Sequence, residues 1–260
     1  MGILQDMTWP QVAEEIKQSK VALIPVGATE QHGHHMPMGS DSYCAFEVAR
    51  RTAQKEQALV VPVLPFGISH CHMSFPGSIT LSCFTMAKVI MEICESLYSH
   101  GIDKFIFING HGHNGPSINI AMDEFKKDKK AYLLLIPWWI AGGKLTAELW
   151  DYKNGNLPDG HAADIEASGM MAINPDLVDK SKAGRVVLGE VKGTKIKFHK
   201  STAVSLGNYP VELTTVSDFK QFTDSGLIGG ALNASADKGE KVLEAISDYL
   251  AELVRELKKL

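Results

Sequence analysis

The run Val21-Ala22-Leu23-Ile24-Pro25-Val26 is short, wholly apolar and ends at Gly27. Three further runs of the same kind lie at 58–63, 104–109 and 132–136. Short apolar runs without polar alternation are typical of strands that are buried on both faces. Such strands occur in parallel sheets whose two faces are covered by helices. The four runs therefore predict a parallel sheet at the centre of the protein.

Helical patterns lie before, between and after these runs, at 11–19, 41–55, 85–99, 117–127 and 234–257. In 85–99, apolar residues recur at helical spacing, and Gly101 follows as a stop signal. The alternation predicts an α/β fold, a three-layer α/β/α arrangement with a mainly parallel central sheet. We expect a loop over 142–160 and extra strands over 186–216. Residues 1–260 are interpreted as a single domain.

The composition is that of an ordinary globular protein, with 45% hydrophobic and 22% charged residues in a chain of 260. A net charge of −4 provides no basic surface for nucleic acid. No apolar run is long enough to cross a membrane, and the first ten residues lack the pattern of a signal peptide. The four cysteines form no CxxC pair and are interpreted as reduced thiols. We therefore expect a cytoplasmic protein that binds neither nucleic acid nor membranes.

Side chains of the kinds that bind divalent metals follow two of the predicted strands. They are Glu30, His32 and Asp41 after the first strand, and His111 and His113 after the run at 104–109. Ligands of open α/β sheets bind beyond the carboxyl ends of the strands, so these side chains are expected to meet. Carboxylate and imidazole groups suit Zn²⁺, Mn²⁺ or Fe²⁺ better than Mg²⁺ or Ca²⁺.

A metal site of this composition indicates hydrolysis by metal-activated water. A carboxylate such as Asp41 can bridge two ions about 3.5–4 Å apart, and a water between them ionises near neutral pH. The alternative is a binding module with a structural metal, whose ligands would all come from the protein. Of the remaining histidines, at least one of His34 and His35 is expected to support the site rather than bind metal. His70 and His72 are interpreted as non-ligands, although either could line the pocket.

Several segments together resemble the creatininase (creatinine amidohydrolase) family. The resemblance covers 23–35 with Asp41 downstream, the motif Asn109-Gly110-His111-Gly112-His113-Asn114, and 161–168 followed by 174–178. Phe75-Pro76-Gly77-Ser78-Ile79 and 236–239 are similar to two further segments of that family. The segments span nearly the whole chain, in the order expected for the family.

The resemblance implies a creatininase-like fold and a binuclear metal-dependent hydrolase, which attacks C–N bonds of a small amide, formamide or cyclic amide through a metal-bridging hydroxide. The implied cofactors are two divalent ions per chain, Zn²⁺ and/or Mn²⁺, with Fe²⁺ as a further candidate. The implied metal ligands are Glu30, His32, Asp41 and His111, with Asp41 shared between the ions. The fifth ligand is either His113 or Glu166. Glu166 is favoured because a second anionic ligand better balances two divalent charges.

The resemblance assigns proton transfer to the leaving nitrogen to His161, and His113 is the other candidate for a catalytic role. Gly160 and Gly112 stand where creatininases carry acidic and aromatic residues, so specificity for creatinine is not expected. Peptide processing, deformylation or cleavage of a C–C bond in a cyclic diketone are alternatives on the same metal site. The implied partner is a small-molecule substrate. The family also implies a homo-oligomer, for which hexamers are common.

Overall fold

A parallel five-stranded sheet forms the centre of the computed structural model. The described residues are 2–139, 143–150, 160–186, 195–200, 203–206, 209–212, 218–221 and 223–260. The strands of the sheet are β1 (Gly2–Ile3), β2 (Val21–Val26), β3 (Leu59–Val60), β4 (Lys104–Asn109) and β5 (Tyr132–Pro137). They lie in the order β1-β3-β2-β4-β5, and every neighbouring pair is parallel. The prediction of a mainly parallel sheet is confirmed.

Helices connect and cover the strands. They are α1 (Trp9–Ser19), α2 (Ser40–Lys55), α3 (Cys83–Ser99), α4 (Gly115–Lys126), α5 (Gly143–Trp150), α6 (Asp164–Ile173) and α7 (Ala236–Leu257). Polar side chains fix where three of them begin. Thr8 and Gln11 form a capping box at α1, Ser82 accepts a hydrogen bond from the Thr85 backbone at α3, and Ser235 caps α7.

The two faces of the sheet are buried in two separate clusters. Val21 and Leu23 of β2 pack in one cluster with residues of α2, α6 and α7. Ala22 and Ile24 pack in the other with residues of α3 and α4. Successive side chains of a strand point to opposite faces, so an apolar run that is buried on both sides supplies both clusters. The three-layer α/β/α prediction is thereby confirmed.

The structure differs from the sequence-based expectation in the second half of the chain. Residues 143–150 form helix α5, although glycines had indicated a loop, and the rest of that expected loop, 151–159, lies outside the described residues. Trp150 at the end of α5 is buried in the core, and this tertiary contact explains the helix better than local propensity does.

Extra strands are present over the expected range 186–216, and one further strand, β10, lies after it. They are β6 (Arg185–Val186), β7 (Ile196–Lys200), β8 (Ala203–Leu206), β9 (Tyr209–Glu212) and β10 (Gly229–Gly230). β6 pairs with β10, and β7, β8 and β9 form an antiparallel sheet of three strands. Among the described residues, no helix is long and apolar enough to span a membrane.

Candidate metal centre

Glu30, Asp41 and His111 meet at the carboxyl edge of the sheet. Glu30 follows β2, His111 follows β4, and Asp41 lies in the first turn of α2. Nδ1 of His111 is 3.1 Å from Oε1 of Glu30 and 3.3 Å from Oδ2 of Asp41. All three side chains are buried, so these two acids and one imidazole form a compact cluster of potential ligand atoms.

Asp41 also reaches a second cluster through its other oxygen. Oδ1 of Asp41 is 3.0 Å from Nε2 of His32, and the same nitrogen is 3.9 Å from Oε2 of Glu166 in the first turn of α6. His32, Glu166 and His161 lie close enough together to hold one ion. The two oxygens of one carboxylate therefore face two imidazoles, which is the arrangement expected of a ligand shared by two metal ions.

Backbone carbonyl groups orient the two imidazoles that face Asp41. Nδ1 of His32 donates to the carbonyl oxygen of Glu30 at 3.1 Å, and Nε2 of His111 donates to that of Ile68 at 3.0 Å. Each bond fixes one ring nitrogen and turns the other, the potential ligand atom, toward the carboxylates. This is the usual way in which the second nitrogen of a metal-binding histidine is fixed.

The loops that carry these side chains are joined by Asn114. Its Oδ1 accepts from the backbone N–H of Ile68 at 3.0 Å, and its Nδ2 donates to the carbonyl oxygen of Gly27 at 3.0 Å and to Oδ1 of Asn109. Asn114 is fully buried. One amide thus holds together the segments after β2, β3 and β4, and it fixes the spacing of the ligand atoms.

The charges of the site are unbalanced without cations. Both carboxylate oxygens of Glu30 and Oδ2 of Asp41 are buried and have no hydrogen-bond partner. Burial raises the pKa of the Glu166 carboxyl to about 7, despite the nearby His32. Buried acids without partners are costly, and a bound divalent ion would compensate their charge. The donor set therefore fits divalent metal ions that accept nitrogen and oxygen ligands.

His161 lies beside this cluster, where the chain makes an unusual turn. Its Nε2 donates to the carbonyl oxygen of Gln31 at 2.6 Å, and its Nδ1 is 3.6 Å from Oε1 of Glu30. The next residue, Ala162, has φ of +57° and donates its N–H to Oε2 of Glu166 at 2.7 Å. A positive φ at a residue other than glycine is strained and is found most often at functional sites. The turn places His161 and Glu166 on the same side of the site.

Three other histidines of the two motifs lie away from Asp41. Nδ1 of His113 is 3.8 Å from Sγ of Cys71, so His113 belongs to a neighbouring group rather than to the cluster of His32 and Glu166. Nε2 of His35 donates to the carbonyl oxygen of Ala162 at 3.0 Å, which supports the turn after His161. His34 is exposed.

Two residues next to the predicted ligands have contacts that the sequence did not indicate. His72 is 1% exposed, and its Nε2 is 3.4 Å from Oε1 of Glu30. The side chain of Gln31 contacts Nδ1 of His72 at 2.8 Å. The sequence marked His72 only as a residue that could line the pocket, because no periodicity or spacing points to its contact with Glu30. Gln31 had no signal beyond its place between the predicted ligands Glu30 and His32.

Known proteins that resemble this chain belong to one family of hydrolases. The family model described as creatinine amidohydrolase matches residues 5–254. The 3-dehydro-scyllo-inosose hydrolase of Thermotoga maritima is 28% identical over 97% of this chain and 82% of that protein. The creatinine amidohydrolase of Pseudomonas putida is 27% identical over 96% of this chain and 95% of that protein.

A solved structure named "Creatininase Mn" has a TM-score of 0.78 and 25% sequence identity, and the match covers 98% of each chain. The family model covers nearly the whole sequence, and the parallel sheet flanked by helices agrees with the fold of this solved structure. The chain belongs to the creatininase (creatinine amidohydrolase) family.

Proposed function

We propose that this protein is a binuclear metal-dependent hydrolase that cleaves a C–N bond in a small amide, formamide or cyclic amide. The observation that carries the proposal is the position of Asp41, whose Oδ1 faces His32 and whose Oδ2 faces His111. A carboxylate shared in this way is typical of two-metal hydrolytic sites. The similarity to a creatinine amidohydrolase over nearly the full length of both chains supports the class of bond.

The proposed ligands are Glu30, Asp41 and His111 for one ion, and Asp41, His32 and Glu166 for the other. Glu166 is preferred to His113 as the fifth ligand because its Oε2 lies 3.9 Å from Nε2 of His32. His113 instead lies beside Cys71. Two divalent ions carry four positive charges, and three carboxylates in the site balance most of that charge.

When bound, the two ions would lower the pKa of a bound water and polarise the substrate carbonyl group. His161 would act on the leaving nitrogen. Its Nε2–H is held by the Gln31 carbonyl oxygen, so Nδ1 is the atom that can take up a proton and pass it on. Burial lowers the pKa of His161 well below its usual range, which keeps Nδ1 unprotonated until a proton is delivered to it.

A second candidate uses the same metal site on a cyclic diketone. The similarity to the 3-dehydro-scyllo-inosose hydrolase is as strong as the similarity to the creatinine amidohydrolase. The first test is therefore a panel of formamides, lactams, creatinine, short peptides and cyclic diketones, assayed with the Zn²⁺- and Mn²⁺-loaded protein. We expect turnover of a formamide or lactam that is lost on chelation and restored by the metal.

Two results would contradict the proposed function. One is activity that survives exhaustive chelation. The other is X-ray absorption showing both ions surrounded by protein ligands alone, since such a site leaves no position for water or substrate.

Metal binding should release protons from the protein. Burial lowers the pKa of His32, but the Asp41 carboxylate outweighs it and the pKa is raised to about 10, so metal-free His32 is protonated at pH 7. A metal ion must displace this proton from Nε2. We therefore expect proton release and an apparent affinity that rises with pH between about 6 and 9. Calorimetric titration with Zn²⁺ in buffers of different ionisation enthalpy measures both.

A matched variant checks the source of the proton. His100 is exposed at the end of α3. The variant His100→Gln should release as many protons as the unmodified protein, whereas His32→Gln should release fewer. Equal proton release from all three proteins would show that His32 is not the group displaced.

The proposal also covers the kind of substrate, the cellular location and the oligomeric state of the protein. We propose a small-molecule substrate, a cytoplasmic location and a homo-oligomer, with the hexamer as the form to test first. Sedimentation velocity of the metal-loaded protein measures the last of these directly.

A further inference from the structure

Gln31 contacts both histidines that flank Glu30: its side chain contacts His72 and its backbone carbonyl oxygen contacts His161. Its Oε1 accepts from the backbone N–H of Gly33 at 2.9 Å, and its Nε2 donates to the carbonyl oxygen of Gly226 at 3.2 Å. These partners differ in kind, since one can only donate and the other can only accept. They fix which end of the amide is nitrogen.

The amide is also enclosed, so it has little room to turn. Gln31 is 5% exposed, and Gly226 has φ of +83°. A Cβ added at Gly226 would lie 1.8 Å from Oε1 of Gln31, so only glycine allows this close approach.

The orientation of the amide determines the tautomer of His72. Nε2 of Gln31 is 2.8 Å from Nδ1 of His72 and carries hydrogens, so Nδ1 must accept. The proton of neutral His72 is then on Nε2. That atom is buried, has no hydrogen-bond partner, and lies 3.4 Å from Oε1 of Glu30.

The backbone of the same residue determines the tautomer of His161. The carbonyl oxygen of Gln31 can only accept, so Nε2 of His161 is protonated and its Nδ1 carries the lone pair. The ring centroids of His72 and His161 are 4.5 Å apart, and each ring has one nitrogen facing Oε1 of Glu30. His72 thus turns an N–H toward Glu30, whereas His161 turns a lone pair toward the same carboxylate.

We propose that Gln31 holds His72 and His161 in opposite tautomers, so that His72 is a positioning residue which directs its Nε2–H at Oε1 of Glu30, 3.4 Å away, and does not bind metal. This inference rests on the proposed function, because Glu30 is a ligand only if the site holds metal. A donor on one oxygen of Glu30 restricts the rotation of the carboxylate. Hydrogen bonds of this kind to metal ligands commonly contribute 10–100-fold to metal affinity.

The tautomer can be observed directly by long-range ¹H–¹⁵N NMR of the histidine rings, with His72 assigned by its loss in His72→Gln. In metal-free and Zn²⁺-loaded protein, we expect Nε2 of His72 to have the shift of a protonated nitrogen and Nδ1 that of an acceptor. A proton on Nδ1, or an Nε2 shifted by bound metal, would overturn the proposal.

The positioning role is tested by metal affinity in two variants of His72. His72→Phe keeps an aromatic ring against Phe219, 4.3 Å away in the native protein, but removes the donor. It should weaken Zn²⁺ binding by about 10–100-fold. His72→Gln restores an N–H of similar reach and should recover most of that loss, while His100→Gln should bind Zn²⁺ as the unmodified protein does.

Equal Zn²⁺ affinity of His72→Phe and the unmodified protein would refute the role in positioning. So would an equal loss in both His72 variants, because a donor would then make no difference. An unmodified protein that binds no divalent ion would instead contradict the proposed function. The tautomer of His72 is measured by NMR on the metal-free protein, so that result does not depend on whether the protein binds metal.

Discussion

Replacing Glu30 by Gln is expected to abolish metal binding and turnover while the fold remains. The amide has the same size and shape as the carboxyl group but no negative charge. Oε1 of Glu30 lies 3.1 Å from Nδ1 of His111, so the substitution replaces an anionic ligand of the first cluster by a neutral amide. Because a bound metal supplies several kcal/mol of transition-state stabilisation, we expect kcat/KM to fall by at least about 10³-fold. Elemental analysis and the substrate panel measure the two effects.

The same variant should not lose stability in the metal-free state. Glu30 is fully buried, and neither of its carboxylate oxygens has a hydrogen-bond partner. A neutral amide costs less to bury than a carboxylate that makes no hydrogen bond, and it keeps an oxygen for Nε2–H of His72 to face, so metal-free Glu30→Gln should unfold at the same temperature as metal-free native protein, or higher. Glu92→Gln on the exposed surface of α3 is the control for the loss of one charge. Full activity in Glu30→Gln would exclude Glu30 as a ligand.

Replacing Gly110 by Ala is expected to damage both the fold and the site. A Cβ at this position would lie 2.2 Å from the carbonyl oxygen of Asp41 and 3.3 Å from the side chain of Ala45. The oxygen belongs to the backbone of α2, which cannot move without displacing the helix. We expect a loss of about 3 kcal/mol in the free energy of unfolding, or about 10 °C in Tm. Metal affinity should fall as well, because Asp41 would move away from His111.

Gly112 is the matched control within the same motif. An added Cβ there meets no atom within 4 Å, and the residue is exposed. Gly112→Ala should therefore unfold and bind Zn²⁺ as the unmodified protein does. Calorimetric unfolding of the two variants, with and without Zn²⁺, separates the effects. If Gly110→Ala were as stable as Gly112→Ala, the close contact between this loop and α2 would be disproved.

Much of the fold could be predicted because its signals are local. The apolar run at 21–26 and the helical spacing of 85–99 each require only neighbouring residues, and both became elements with nearly the expected bounds. Helix α5 was not predicted. Its sequence follows Gly142 and begins with Gly143, and the burial of Trp150 that favours the helix depends on distant parts of the chain.

The candidate site likewise combines features that the sequence predicts with features that depend on tertiary contacts. Its position at the ends of β2 and β4 follows from the general behaviour of parallel sheets. Spacing leaves both His113 and Glu166 open as the fifth ligand, and the proposal of Glu166 depends on the turn at Ala162, beyond which Glu166 lies 3.9 Å from His32. That turn brings Glu166 close to His32, although the two residues are far apart in the sequence.

The sequence alone determined the parallel sheet, the covering helices and the cluster of acids and histidines at the strand ends. These features depend on residue type and on periodicity along a short stretch of chain. The tertiary structure decided that Asp41 faces both His32 and His111, and that Nε2 of His72 lies 3.4 Å from Oε1 of Glu30. Those outcomes depend on hydrogen bonds between distant segments, such as those of Gln31 with His72 and Gly226, which a linear pattern does not encode.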